Sequence, residues 1–183
     1  VSSSAASDVY KRQALGCATE EVRTAEQLAA VDGLVMPGGE STTMSMLLER
    51  SGMLEPLRAR VADGMPVFGT CAGMILLAAE IRDGRPDQHA LGALDLSVVR
   101  NGYGRQIDSF EADIDIDGLA EPFHAVFIRA PKVERVGDDV EVLATVDGDP
   151  VLVRRGPVMA AAFHPELSGD DRIHQRWLDS FAG

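Results

Sequence analysis

One cysteine of the 183-residue chain lies in a motif that could support nucleophilic catalysis. Cys71 is the centre of a Gly-Thr-Cys-Ala-Gly run, between an apolar segment with strand character and an apolar segment compatible with a helix. A sharp strand-to-helix turn strains its central residue and points the thiol over the helix N-terminus, whose partial positive charge stabilises a thiolate. A small buried cysteine packed between two elements is the alternative. We predict that Cys71 is a nucleophile.

A cysteine nucleophile needs a base, and His164 is the best candidate among the four histidines. It follows a run of apolar and small residues, 158–163, that is typical of a buried strand, and Pro165 then ends the strand. The carboxylate of Glu166 could orient the imidazole and stabilise its protonated form. A histidine that only caps a strand end is the alternative. The other three histidines are predicted to lie elsewhere: His89 in a polar loop, His124 within an apolar segment and His174 on the polar face of the last helix.

A third motif, Pro-Gly-Gly-Glu-Ser-Thr at residues 37–42, follows a short apolar strand. Glycines at a strand-to-helix turn leave backbone N–H groups open to a ligand, and Ser41 or Thr42 is predicted to cap the helix that begins there. With the N–H group of Ala72, that of Gly39 could form an oxyanion hole. One such donor typically contributes about 3 kcal/mol to transition-state stabilisation.

The elements that must position these residues alternate between helices and strands. Helices are predicted at 24–31, 42–50, 54–62, directly after Cys71 and at 171–181, the last with Trp177 as a core anchor. Strands are predicted at 34–36, before Cys71, and at 94–99, 110–116, 125–128, 140–146, 151–154 and 158–163. This order predicts an α/β protein of three layers, α/β/α, with an antiparallel extension in the middle of the chain.

Composition excludes several other classes of protein. The length suits one domain with a full core, and the net charge of −12 argues against a nucleic-acid partner. No apolar run is long enough to cross a membrane. The two cysteines form no CxxC or Cys/His cluster, so no metal site is predicted. A free Cys17 and the absence of a signal-peptide pattern favour the reducing cytoplasm.

Five motifs together carry a family resemblance. They are residues 37–42, 68–73, the Arg-Asn-Gly-Tyr-Gly-Arg-Gln run at 100–106 with Asp-Ser-Phe-Glu at 108–111, Phe-Ile-Arg-Ala-Pro at 127–131 and Phe-His-Pro-Glu-Leu at 163–167. From about Val22 to its C-terminus the chain resembles the class I glutamine amidotransferases, and among them the glutaminase subunits of pyridoxal phosphate synthase. The Gly-Thr-Cys-Ala-Gly turn at 69–73, called the elbow below, and the His-Pro-Glu turn at 164–166 mark the class I glutamine amidotransferases. The other motifs narrow the resemblance to the glutaminase subunits of pyridoxal phosphate synthase.

The resemblance implies a flavodoxin-like fold and hydrolysis of L-glutamine to L-glutamate and ammonia through a cysteine thioester. Cys71 would be the nucleophile, His164 the general base and acid, and Glu166 the residue that orients it. Six residues would line the glutamine site: Gly39, Glu40, Ser41, Arg100, Ile128 and Arg129. The ammonia would pass through a tunnel to a (β/α)8-barrel synthase subunit of a hetero-oligomer, where pyridoxal phosphate is the product. No cofactor is therefore expected in this chain.

Three other interpretations remain at this point. The chain could be the glutaminase subunit of a histidine or nucleotide pathway, a cysteine peptidase of similar fold, or a non-catalytic binding domain. Glutaminase subunits of histidine or nucleotide pathways lack the motif at 100–106 followed by Asp-Ser-Phe-Glu. A peptidase should use glutamine poorly, and retention of Cys71, His164 and Glu166 argues against a binding domain.

The first residues of the chain do not fit the family. Residues 3–13 match the translation of a common sequencing adapter, so we interpret 1–13 as a non-native segment and 14–183 as the glutaminase domain. The resemblance implies an apolar strand near the middle of the sheet in this region. We therefore predict that the chain lacks its native first strand.

Overall fold

The computed structural model describes residues 15–103 and 109–181, which have an α/β fold. The helices are α1 (Ala25–Ala30), α2 (Ser41–Arg50), α3 (Leu54–Ala62), α4 (Ala72–Leu77) and α5 (Arg172–Asp179), with a 3-10 helix at Pro165–Leu167. The strands are β1 (Leu34–Met36), β2 (Val67–Thr70), β3 (Ala78–Ile81), β4 (Leu94–Val99), β5 (Ser109–Ile114), β6 (Phe123–Ile128), β7 (Lys132–Val136), β8 (Glu141–Val146), β9 (Asp149–Arg155) and β10 (Val158–Ala161).

The largest sheet has five strands in the order β1-β2-β10-β9-β8. β2 pairs in parallel with β1 and with β10, whereas β9 and β8 extend the sheet in antiparallel fashion. Strands in the parallel part of a sheet are usually covered on both faces, and every residue of β2 and β10 is buried. Two smaller sheets, β3-β4-β7 and β5-β6, complete the fold.

The last helix, α5, covers the core with an apolar face. Trp177 is buried and its ring centroid lies 6.0 Å from that of Phe68, which confirms the predicted core anchor. The prediction that His174 lies on the polar face is wrong: it is fully buried, and its ring meets Phe68 edge-on at 5.5 Å. Its position between Ile173 and Trp177 explains this, because residues at i, i+1 and i+4 share one side of a helix.

Most of the predicted elements are present. The predicted bounds 34–36, 54–62 and 94–99 agree with β1, α3 and β4, and the other predicted elements differ by a few residues. β3 and β7 were not predicted. The predictions for residues 1–13 and the part of the 100–106 motif from residue 104 onwards lie outside the described residues. Within the two described ranges, every helix is too short or too polar to cross a bilayer.

Candidate active site

The turn from β2 into α4 has the strained geometry that its sequence predicts. Cys71 has φ 51° and ψ −104°, a conformation that non-glycine residues seldom adopt. Its backbone N–H donates to the carbonyl oxygen of Ala161 on β10 at 2.8 Å, and its side chain is buried. The surrounding main chain therefore compensates for the strain and holds the thiol at the carboxyl ends of two parallel strands.

The glycines on either side of this turn are required by close packing. A Cβ atom at Gly69 would lie 2.7 Å from the carbonyl carbon of Gly73. A Cβ atom at Gly73 would overlap the carbonyl oxygen of Met36 at the end of β1. Two glycines thus let α4 approach both β2 and β1 more closely than any side chain would allow.

His164 follows β10 and is fixed from two directions. Its backbone N–H donates to the carbonyl oxygen of Val126 on β6 at 2.8 Å, and its Nδ1 donates to Oε1 of Glu166 at 2.7 Å. Both side chains are buried. Burial alone would lower the pKa of His164, but hydrogen bonds to Cys71 and Glu166, and the negative charges of both, raise this pKa to about 10.

The thiol of Cys71 and the imidazole of His164 meet at one cavity of about 310 Å³. Sγ of Cys71 also lies 3.8 Å from the carbonyl oxygen of Ile128. The residue after Ile128, Arg129, has φ 44°, a second strained backbone position beside the cavity. The cavity lining includes eight of the predicted site residues: Gly39, Glu40, Ser41, Cys71, Arg100, Ile128, Arg129 and His164. Glu166 contacts His164 from outside the lining, and Ala72 begins α4.

The N-terminus of α2 borders the same cavity, and its cap differs from the prediction. Neither Ser41 nor Thr42 caps the helix; Glu40 does, accepting from the N–H groups of Thr42 at 3.0 Å and Thr43 at 2.8 Å. Burial would raise the pKa of Glu40, but these bonds and one from the Thr43 hydroxyl lower it to about 2. The preceding Gly39 has φ 154°, which favours glycine.

Sequence reasoning missed a hydrogen-bonded group beside the cavity. Nη1 of Arg100 donates to the hydroxyl oxygen of Thr42 at 2.8 Å and to Oε1 of Gln88 at 3.2 Å, while Nε2 of Gln88 donates to Ser41 at 3.0 Å. Gln88 lies in a polar loop, so no periodicity or motif could have revealed it. The lining residues that were not predicted are Gly38, Ile75, Asn101 and Leu167.

The arrangement suits attack on a carbonyl carbon. The described ranges contain no group of three His, Cys, Asp or Glu side chains that could hold a metal ion. A cysteine sulfur beside a protonated imidazole, with a carboxylate behind the ring, can supply a nucleophile, a proton donor and the group that orients it. The fold and the site therefore have the geometry expected of an α/β enzyme of acyl transfer.

Comparison with known proteins identifies the family within this class. The model of the SNO glutamine amidotransferase family matches residues 6–182, and the chain belongs to this family. The chain is 61% identical to pyridoxal 5'-phosphate synthase subunit PdxT of Frankia alni over 166 residues, which are 90% of this chain and 83% of that protein. It is 62% identical to the protein of the same name from Mycobacteroides abscessus, over 86% of this chain and 82% of that one.

Solved structures agree with this assignment. A crystal structure of a glutamine amidotransferase superposes with a TM-score of 0.91 at 46% identity, covering 97% of this chain and 94% of that one. The structure of a Thermoplasma acidophilum protein, provisionally named as part of a GMP synthase, has a TM-score of 0.68 at 19% identity. It covers 96% of this chain and 87% of that one, and it supports the fold alone. The predicted α/β class and the predicted family are confirmed.

Proposed function

We propose that the chain hydrolyses L-glutamine to L-glutamate and ammonia and supplies the ammonia for pyridoxal phosphate synthesis. The observation that carries this proposal is the contact between Cys71 and His164 at one cavity, with Glu166 hydrogen-bonded to Nδ1 of the His164 ring. The name shared by relatives at 61% and 62% identity supports the biosynthetic pathway.

The first half of the reaction forms a thioester. The thiolate sulfur of Cys71, whose proton is held by His164, bonds to the side-chain carboxamide carbon of glutamine, and the carbonyl oxygen becomes an oxyanion that accepts from the N–H groups of Gly39 and Ala72. The C–N bond then breaks, and the imidazolium of His164 gives its proton to the leaving nitrogen, which departs as ammonia. A His164 pKa of about 10 keeps that proton on the ring at neutral pH before the substrate binds.

The second half releases glutamate. His164, now neutral, takes a proton from a water molecule, whose oxygen bonds to the thioester carbon. The C–S bond breaks, glutamate leaves, and the sulfur and the protonated ring return to their starting state. Glu166 stabilises the imidazolium in both halves, because its carboxylate lies 2.7 Å from Nδ1.

Recognition of free glutamine requires partners for its α-carboxylate and its α-ammonium group. Arg100 and Arg129 line the cavity and provide positive charge for the carboxylate, while Glu40 and backbone carbonyl oxygens provide acceptors for the ammonium. Ser41, Gly39 and the carbonyl group of Ile128 complete the proposed substrate site. No cofactor takes part in either half-reaction.

The ammonia is proposed to reach a (β/α)8-barrel synthase subunit through a hetero-oligomeric contact. Reducing conditions suit this chemistry because the thiol must stay free, so we propose that the enzyme works in the cytoplasm. In the described part of the chain both Cys17 and Cys71 are free thiols.

We also propose that residues 14–183 are the glutaminase domain and that residues 1–13 are a non-native segment. The family match begins at residue 6, inside the segment predicted to be non-native. Deleting residues 1–13 should leave the melting temperature unchanged. A lower melting temperature after deletion would refute this boundary.

Ammonia release from glutamine, measured with and without the synthase subunit, tests the catalytic proposal. The partner should stimulate release, and Cys71→Ala should reduce the stimulated rate by about 10⁴-fold or more, as expected when a nucleophile is removed. Cys17→Ala is the matched control and should keep the full rate. Activity that survives in Cys71→Ala would exclude the mechanism, and lack of stimulation would exclude the assignment to this pathway.

A further inference from the structure

The side chain of Gln88 joins two parts of the proposed glutamine site. Its amide oxygen accepts from the guanidinium group of Arg100 at 3.2 Å and from the hydroxyl of Thr42 at 3.3 Å. Its amide nitrogen donates to the hydroxyl oxygen of Ser41 at 3.0 Å. Arg100 and Ser41 line the cavity, whereas Gln88 and Thr42 do not, so Gln88 acts on the cavity only through its neighbours.

The bonds to Arg100 leave its positive charge available to a ligand. The nitrogen that contacts Gln88 also donates to Thr42 at 2.8 Å, so two neutral oxygen atoms hold it. The carboxylate oxygen of Glu40 lies 3.9 Å from the other terminal nitrogen, too far for a strong hydrogen bond. Neutral acceptors fix the direction of a guanidinium group without neutralising it, which is what recognition of an anionic substrate requires.

The loop that carries Gln88 is itself fixed on α2. The N–H group of the next residue, His89, donates to the hydroxyl oxygen of Ser45 at 2.7 Å, and Ser45 is fully buried. The N–H group of Gln88 donates to the carbonyl oxygen of Arg85 at 3.0 Å, which closes a turn. Gln88 is therefore held by main-chain bonds on both sides and is placed to orient Arg100.

We propose that Gln88 is a positioning residue for glutamine recognition: its amide oxygen aims Arg100 at the α-carboxylate of the substrate and its amide nitrogen holds Ser41 at the cavity. This inference rests on the proposed function. Both ends of the amide are used, so neither an apolar nor an anionic side chain of similar length replaces it. A carboxylate at this position would also compete with the substrate for the charge of Arg100.

Steady-state kinetics of Gln88→Met and Gln88→Glu, in the presence of the synthase subunit, test the inference. We expect KM for glutamine to rise about tenfold in Gln88→Met, equivalent to about 1.4 kcal/mol, and further in Gln88→Glu. The kcat value should stay within twofold, because Cys71 and His164 are untouched. Gln175→Met, on the exposed face of α5, and Arg85→Ala, in the same loop, are the controls and should leave KM unchanged.

Alkylation of Cys71 separates positioning from a general loss of structure. The rate with an electrophilic analogue of glutamine depends on the substrate site, whereas the rate with iodoacetamide depends only on the thiol. In both Gln88 variants the first rate should fall about tenfold and the second should not change. An equal fall in both rates, or KM values within twofold of the unsubstituted enzyme while Cys71→Ala is inactive, would overturn the inference. Activity in Cys71→Ala would instead overturn the proposed function.

Discussion

The catalytic end of the central sheet and the outer edge at β1 are packed very differently. At the catalytic end, β2 and β10 pair over four residues and have no exposed position. Along the outer edge of β1 lies a groove of about 910 Å³, about three times the volume of the catalytic cavity. The groove is lined by residues 17–22, 30–35 and 37 together with Trp177, Leu178 and Phe181.

This difference in packing separates the residues that hold Cys71 and His164 from those that hold the glycine loop of the substrate site. The main-chain bonds that fix Cys71 and His164 come from Ala161 and Val126, and neither of these partners borders the groove. The glycine loop that contains Gly39 instead follows β1, and Leu34 and Val35 of that strand line the groove. Changes at the groove should therefore alter stability and substrate binding before they alter the contact between thiol and imidazole.

Truncating one phenylalanine in each region should give the largest contrast in stability. Phe163 is fully buried at the catalytic end, and its ring centroid lies 5.5 Å from that of Phe127. Phe181 is partly buried and borders the groove beside Trp177. We expect Phe163→Ala to lower the free energy of unfolding by about 3–5 kcal/mol, through lost burial and a new cavity. Phe181→Ala should lower it by only about 1 kcal/mol, because part of the ring is already hydrated.

Urea denaturation of both variants measures this contrast. The two substitutions remove the same atoms, so a difference between them reports the surroundings and not the side chain. Equal losses would mean that the groove is as well packed as the catalytic end, and the comparison would then be wrong.

The elbow glycine that contacts β1 should give a smaller but more specific effect. Gly73→Ala places a methyl group against the carbonyl oxygen of Met36, a backbone atom that cannot move aside alone. We expect a loss of about 3 kcal/mol in the free energy of unfolding, at the upper end of the usual cost of overpacking. The kcat value should fall more than tenfold, because α4 carries the N–H group of Ala72.

Gly64→Ala provides the control for this glycine. A Cβ atom at Gly64 would meet no atom within 4 Å, so only its φ of 89° opposes the substitution. Its cost should be about 1 kcal/mol, and kcat should not change. Equal stability and rate in Gly73→Ala and Gly64→Ala would contradict the close packing of α4 on β1.

The sequence predicted the catalytic end better than its surroundings, for physical reasons. The elbow and the His-Pro-Glu turn are local patterns in which backbone strain, glycine packing and the end of a strand are all encoded within a few residues. Cys71, His164 and Glu166 could therefore be located before their contacts were known. The bounds of β1 and β4 were equally accessible, because turn residues separate these apolar runs from their neighbours.

The failures arise where tertiary contacts decide the structure. β3 continues the apolar run of α4 without a turn signal, so the sequence reads as one longer helix. β7 has only two apolar residues in five, and pairing with β4 across a bulge makes it a strand. Gln88 contacts Ser41, 47 positions before it, and Arg100, 12 positions after it. The loop that carries Gln88 has no periodic pattern that could predict these contacts.

The N-cap residue of α2 was also predicted wrongly, because contacts in the folded chain decide which side chain caps the helix. Replacing this residue should give the smallest change in the free energy of unfolding, and that change should depend on pH. Serine and threonine are common caps, but here Glu40 reaches three donors at once. Replacing it in Glu40→Gln should lower the free energy of unfolding by about 1 kcal/mol at pH 6. The side chain is 56% exposed, so solvent keeps the effect small.

Acid should remove this contribution over a defined range. The pKa of Glu40 is lowered to about 2 in the folded state from an ordinary value of 4.5, so the folded protein binds its proton more weakly than the unfolded chain does. The stabilisation is therefore complete above pH 4.5 and is lost as the pH falls through 2. The difference in unfolding free energy between the unsubstituted chain and Glu40→Gln should shrink over that interval. A difference that stays constant from pH 6 to pH 2 would show that the carboxylate does not cap the helix.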